Sequence, residues 1–322
     1  MKIVIDVFGC DYPDQVIEGL AKAINQIEEV TLVATGDKAY IEERLNGVEF
    51  DRSRLEIVDA PEVITNNDVP IRALRQKKNS SMVKALTLLR DNEDIPVMIT
   101  AGSTGAMFAG AILVLGRDNM SERPTLVTAL PTEKGNYVCI ADCGANVDCK
   151  PDQLLKFGEY ASAYMQKTYG IESPRVALLS VGTEDKKGNS LTKETFNMLK
   201  ESNLNFVGNI ESKTAISGDV DVIVCDGFSG NVLLKSIEGV AKTVMKMVST
   251  ALKKNVDANS DFTFVKKAFG ELMQTFDFNS LAGSMLLGAK KPIIKGHGSA
   301  NADTVVNTVK QAMTMVKSGF AR

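Results

Sequence analysis

The stretch Arg175-Val176-Ala177-Leu178-Leu179-Ser180-Val181-Gly182-Thr183-Glu184-Asp185-Lys186-Lys187-Gly188 decides how the rest of the chain is read. A short apolar run, fit for a buried strand, stops at Gly182 and releases into a polar loop. Two adjacent cations, Lys186 and Lys187, sit on that loop, and a helix opens near Leu191. Strand, polar loop, helix is how an α/β protein presents a site, because the rigid strand sets where the polar groups begin. Cations in such a place either point into water or receive an anion, and the pair alone leaves both readings open.

Outward from there the same unit recurs. Residues 2–7 read as a strand, Phe8-Gly9-Cys10-Asp11 as a turn, and Pro13 opens a helix with Val16, Ile17, Leu20 and Ile24 on one face. Residues 30–36 and 55–60 read as strands around a helical run at 38–46. Residues 96–101 form a buried strand that ends in Gly102-Ser103-Thr104-Gly105-Ala106, followed by an apolar helix to Gly116. Adjacent strands are predicted at 124–132 and 136–141, the second ending in Asp142-Cys143-Gly144-Ala145-Asn146-Val147-Asp148 before a helix after Pro151. Residues 220–224 end in Asp226-Gly227-Phe228-Ser229-Gly230-Asn231-Val232 and feed a long helix from Asn231 to about 255. A second amphipathic helix follows, with Val265, Phe269, Leu272, Met273 and Phe276 at helical spacing. The last unit is a strand at 291–295, the turn Gly296-His297-Gly298, and a closing helix to Gly319. The expected fold is one α/β domain over residues 1–322, a largely parallel sheet sandwiched by helices. A helical pair at about 231–285 projects from it, as a subunit interface or a membrane-surface contact.

If every strand points the same way, residues 102–105, 142–146, 183–189 and 226–231 converge on one crevice at the carboxyl edge of the sheet. Backbone amides at the Gly102 turn, the asparagines Asn146 and Asn231, and the loop lysines would then make an anion pocket. Capping of the following helices is the alternative for both asparagines. The Gly102 turn has neither a Walker ending nor a dinucleotide glycine pattern, so ATP and NAD lose ground and no cofactor is expected. Residues 72–78 form the densest basic patch, Arg72, Arg75, Lys77 and Lys78, either a solvated face or a docking surface for an acidic partner. With a net charge of -3 the whole molecule is not built to bind nucleic acid. Five cysteines in or near strand-like segments and a single histidine argue against disulfides and a Cys/His metal site, so no metal is expected. The longest apolar run, residues 107–116, is too short to span a bilayer, and the amino terminus has no signal-peptide pattern, so the chain reads as cytoplasmic. His297 is open as a base or as a structural group.

Taken in order, Arg75-Gln76-Lys77-Lys78-Asn79-Ser80-Ser81-Met82, the 102–106 and 142–148 turns, Ser173-Pro174-Arg175, Gly182 to Asn189, Asp226 to Val232 and Lys295-Gly296-His297-Gly298 resemble the bacterial phosphate acyltransferase family PlsX along nearly the whole chain. The resemblance implies a fold like the isocitrate and isopropylmalate dehydrogenases and the phosphotransacetylases, a homodimer, and loose association with the inner face of the cytoplasmic membrane. It also implies a reaction in which acyl-[acyl carrier protein] and inorganic phosphate give acyl phosphate and free carrier protein, feeding a membrane glycerol-3-phosphate acyltransferase. On that basis Lys187 and Asn231 are expected to be catalytic. Gly102, Ser103, Thr104, Gly105, Asn146, Asp185, Lys186, Gly230 and His297 are expected at the substrate and phosphate site, Arg72, Arg75, Lys77 and Lys78 under the carrier protein, and Asp6 as an orienting group. Two readings compete with this one: a phosphotransacetylase-type enzyme using coenzyme A thioesters, and a non-catalytic scaffold for membrane and carrier protein. The sequence departs from the family at Val7-Phe8-Gly9-Cys10-Asp11-Tyr12-Pro13, where the family carries Ala-Met-Gly-Gly-Asp, and at residues 278–283, where it carries a tyrosine and glycine pair.

Overall fold

The computed structural model describes residues 1–117, 122–255, 263–275, 283–298 and 300–321. Its strands are β1 (Lys2–Asp6), β2 (Thr31–Gly36), β3 (Leu55–Asp59), β4 (Met98–Thr100), β5 (Thr125–Pro131), β6 (Tyr137–Ala141), β7 (Arg175–Leu179), β8 (Asn205–Ile210), β9 (Val222–Val224), β10 (Ser284–Leu287) and β11 (Ile293–Lys295). Its helices are α1 (Pro13–Gln26), α2 (Lys38–Arg44), α3 (Pro70–Gln76), α4 (Ser81–Asp91), α5 (Thr104–Gly110), α6 (Pro151–Tyr169), α7 (Ser190–Glu201), α8 (Gly227–Asn255), α9 (Thr263–Thr275) and α10 (Ala302–Lys317). A π-helical stretch, Ala111–Leu115, carries α5 on to Gly116.

All the strands join one sheet in the order β3-β2-β1-β4-β11-β10-β5-β6-β9-β7-β8. Period-two alternation splits their apolar side chains between two faces. Ile3 and Ile5 of β1, Leu32 and Ala34 of β2, Cys139 and Ala141 of β6 and Val222 and Val224 of β9 join one core with Leu20, Ile24, Phe157, Leu199 and Val309 from α1, α6, α7 and α10. Val4 and Val33 face the other way, onto Met82, Leu86 and Met107 of α4 and α5. Val138, Ile140 and Ile223 pack under Leu233 and Leu234 of α8. The apolar face predicted for α1, Val16, Ile17, Leu20 and Ile24, is the one buried.

The sheet is parallel on both flanks and reverses in the middle. β4 and β11 are parallel, β11 and β10 antiparallel, β10 and β5 antiparallel, and β5 and β6 antiparallel. β6, β9, β7 and β8 then run parallel to one another but opposite to β1 and β4. The expectation of one shared carboxyl edge is therefore corrected: β4 points toward one edge and β6, β7 and β9 toward the other, and the register leaves the ends of β4 and β6 nearly level near the middle of the sheet. The strand that enters the reversal, β10, is four residues long and was not expected from sequence, nor was β8 at the far edge, whose Gly208 has φ +105°. Residues 70–76, which carry part of the basic patch, form α3. Ser80 caps α4, accepting from the Val83 amide at 3.4 Å.

α8 extends beyond the sheet, and Val240, Val244, Met247 and Val248 on its outer turns are exposed, as are Phe264 and Leu272 of α9. Position 276 of the second helical stripe and the 278–282 part of the family departure lie outside the described residues. Among the described residues no helix is long and apolar enough to cross a membrane.

Candidate active site

Because the sheet reverses at β10 and β5, a cleft opens over its centre, where the end of β4 faces the end of β6 across β5. Its volume is about 510 Å³. One wall is Ala101, Gly102 and Thr104 after β4, with Lys295, Gly296 and His297 after β11. The opposite wall is Cys143 and Gly144 after β6, with Asn231, Lys235 and Glu238 of α8. Gly144 has φ +126°, a backbone region that favours glycine, and a Cβ there would lie 3.4 Å from the Asn231 side chain. The turn thus passes close to Asn231.

That turn is built around a buried carboxylate. Asp142 accepts from the amides of Leu126, Gly144, Ala145 and Asn146 and from Asn146 Nδ2, at 2.7–3.1 Å. Burial raises its pKa, and these donors pull it back toward the ordinary range. Asn146 spends its amide on Asp142 and on the Pro124 carbonyl at 2.8 Å, is buried, and does not line the cleft. It holds the turn's shape. It does not cap α6, which begins at Pro151 behind Lys150. Nor does Asn231 cap α8. That helix starts four residues earlier, at Gly227, with Asp226 accepting from the Ser229 amide and hydroxyl at 2.8 Å. Asn231 is left to face the cleft.

The opposite wall rests on a row of polar strand ends. Register places Asp6 beside Thr100 and Thr100 beside Lys295. The Thr100 hydroxyl donates to Asp6 Oδ2 at 2.7 Å, and the Gly102 amide donates to Thr100 Oγ1 at 3.0 Å. Lys295 Nζ donates to the carbonyls of Ala101 and Gly296. Desolvation pushes Asp6 up to about 6 and Lys295 down to about 8, against their mutual attraction. Lys295 entered the sequence reading only as part of a motif. Its signal was there: Asp6, Thr100 and Lys295 each end an apolar strand with a polar residue in the same position.

The remaining expected residues fall into three places. Ser103 is buried and caps α5 by accepting from the Ala106 amide, and Gly105 packs under Pro70 of α3. Lys186 and Lys187 are exposed, and Asp185 pairs with Lys200 at 3.6 Å. Their loop leads into Gly188 and Asn189, which line a second groove of about 450 Å³ with Leu179, Val181, Phe228 and Val232. The first turns of α8 separate this groove from the cleft, so the Lys187 loop and Asn231 do not line one cavity. Gly230 is buried against the Asp142 carbonyl. His297 is exposed at the cleft rim, where it faces Glu238. Arg72, Arg75 and Lys78 are exposed, whereas Lys77 is tied to the Val63 carbonyl and to Asp68, both at 2.8 Å. At the amino-terminal departure Gly9, not Cys10, holds the positive φ, so the cysteine fits without backbone strain.

Comparison with known proteins agrees with this architecture. The chain matches the family described as "Fatty acid synthesis protein" over residues 1–322. It is 42% identical over 318 residues to a phosphate acyltransferase of Clostridioides difficile (strain 630), covering 98% of this chain and 93% of that protein. A phosphotransacetylase from Streptococcus pyogenes has the same fold, with a TM-score of 0.62 at 16% identity, covering 100% of this chain and 94% of that one. A 4-hydroxythreonine-4-phosphate dehydrogenase from Klebsiella pneumoniae superposes with a TM-score of 0.56 at 12% identity, covering 97% and 98%. With the family matched along its whole length, this chain belongs to the PlsX family of phosphate acyltransferases and is an acyltransferase of lipid biosynthesis.

Proposed function

We propose that the chain transfers an acyl group from an acyl carrier protein thioester to inorganic phosphate. A phosphate oxygen attacks the carbonyl carbon, the carbon–sulfur bond breaks, and the proton of the phosphate monoanion or dianion ends on the leaving sulfur. The products are acyl phosphate and free carrier thiol. Phosphate is already anionic and the thioester already activated, so the reaction needs positioning and a donor at the developing oxyanion more than a strong base. The observation that carries the reading is the central cleft of a phosphate acyltransferase-family chain, where Asn231 faces Lys295, His297 and the Gly102 turn.

Asn231 serves as the amide donor to the tetrahedral oxygen, while Lys187, whose loop borders the second groove rather than the cleft, lends its positive charge to the approach of the anionic substrates. Gly102, Ser103, Thr104 and Gly105 shape the wall on which phosphate rests, with Gly230, Asn146, Asp185 and Lys186 holding the loops around it. The carrier protein docks on Arg72, Arg75 and Lys78. This patch adjoins the cleft, since α3 packs on Gly105 while Asn66 and Thr104 line the cavity. The protein acts as a homodimer in contact with the membrane surface, where the exposed apolar turns of α8 and α9 are placed for either contact. Its product goes to a membrane glycerol-3-phosphate acyltransferase.

The test is purified protein with palmitoyl-carrier protein and phosphate, trapping acyl phosphate with hydroxylamine, beside Lys187→Ala, Asn231→Ala and a phosphate-free control. Phosphate-dependent hydroxamate should form and fall by about 10²–10³ in Asn231→Ala, and a near-normal rate in a folded Lys187→Ala protein would remove that lysine from the mechanism. Product from palmitoyl-coenzyme A alone would establish the rival donor, and no product from either thioester would leave the scaffold reading.

A further inference from the structure

We propose that Lys295 is the cation on which the phosphate nucleophile is seated in the central cleft, and that Asp6 is the positioning residue that keeps this lysine charged. The inference rests on the acyl-transfer reading for the identity of the anion, and on the geometry of three strand ends for the place.

Lys295 ends β11 on the cleft wall, with its neighbours Ala101, Gly102 and Gly296 beside it. Two of its three N–H donors are spent on the Ala101 and Gly296 carbonyls, and no third acceptor is present among the described residues. An ammonium held this way has lost much of its water, and its remaining donor is worth more to an incoming anion than that of a solvated surface lysine. It is also fixed by β11, whereas Lys187 sits on an exposed loop. A site that must hold phosphate in line with a thioester gains from the rigid cation.

The charge needs an anchor behind it. Asp6 is fully buried one strand away, beyond Thr100, whose hydroxyl it accepts, with the Ser81 side chain and the Phe8 amide also facing its carboxyl. Asp6 does not itself line the cleft, so it reaches substrate only through Lys295. The other groups facing Lys295 are Cys10 and Asp11 from the loop before α1 and, across the cavity, Lys235 and Glu238 of α8 and His297. Burial pushes the Cys10 thiol up to about 11, so it stays neutral through the working range. Lys295, at about 8, loses its charge first on the alkaline side, and Asp6 is the strongest attraction opposing that loss.

The experiment measures steady-state kinetics in phosphate from pH 6 to 9.5, together with equilibrium phosphate titration of the folded protein, for wild type, Lys295→Gln, Lys295→Arg and Asp6→Asn. Lys295→Gln should raise the KM for phosphate and weaken phosphate binding by about 10- to 100-fold, leaving the KM for the acyl donor within twofold. Lys295→Arg should recover part of that loss. In wild type, kcat/KM for phosphate should fall above about pH 8, and Asp6→Asn should move that fall to lower pH while changing little at pH 6. Phosphate's own ionisation is common to all the proteins and cancels in the comparison. A folded Lys295→Gln protein with unchanged phosphate binding overturns the proposal. So does an Asp6→Asn profile superimposable on wild type, and that profile decides the matter if Lys295→Gln does not fold. Wild type that makes no acyl phosphate from either thioester sinks the acyl-transfer reading instead, and the phosphate titration still judges Lys295.

Discussion

Replacing Gly230 by alanine tests how α8 is docked. A Cβ at Gly230 would lie 1.9 Å from the Asp142 carbonyl oxygen and 2.8 Å from the Cys225 sulfur, where ordinary contact begins near 3.4 Å. The chief obstacle is backbone at the end of β6, itself held by the Asp142 cradle, so no flexible side chain can give way. Something must move by about 1.5 Å. Overpacking of this kind costs about 3 kcal/mol, offset by about 1 kcal/mol of helix propensity gained over glycine. The net of about 2 kcal/mol corresponds to a Tm lower by about 3 °C for a chain of this size. Because Asn231 is the next residue, the same shift moves its amide, and a 1 Å misplacement near the chemistry costs about 10² in rate. Gly239→Ala in the same helix is the control. No atom lies within 4 Å of its Cβ, so it should stabilise by about 0.5–1 kcal/mol and leave turnover unchanged. Thermal unfolding and hydroxamate formation read both variants. A Gly230→Ala protein as stable and as active as wild type would refute the close approach of α8 to β6.

Two further outcomes follow from the same structure. Reversing Arg72, Arg75 and Lys78 together to glutamate should raise the KM for the carrier protein and flatten its salt dependence, as expected for exposed steering charges; salt dependence unchanged from wild type would refute docking there. Asp6, raised by burial from 3.8 to about 6, keeps a proton between about pH 4 and 6 that the unfolded chain has released, so its contribution becomes unfavourable as pH rises through that window. Asp6→Asn should therefore gain stability relative to wild type by up to about 3 kcal/mol between pH 4 and 6.5, measured by denaturant unfolding, and a flat difference would show that Asp6 is not desolvated.

The strand-turn-helix units, the apolar face of α1 and the polar turns beyond each strand were legible in the sequence because they depend on local periodicity and on glycine, proline and capping chemistry. The family was legible too, since its turns recur in order along the chain. Strand direction was not: β10 has only four residues, and its pairing with β11 and β5 depends on partners about ten and 160 positions away. That one strand enters the reversal that brings the β4 and β6 ends together from opposite directions, so Gly102 and Asn231 face each other across a cleft while the Lys187 loop borders another groove. The shifted start of α8 was equally hidden, because Asp226 outcompetes Asn231 as the cap only once β9 has delivered it to the sheet edge. Composition and periodicity determined which segments would be buried and which turns would be polar. Tertiary pairing decided which turns meet, and it placed the Asp6, Thr100 and Lys295 row, drawn from three distant segments, along one wall of the cleft.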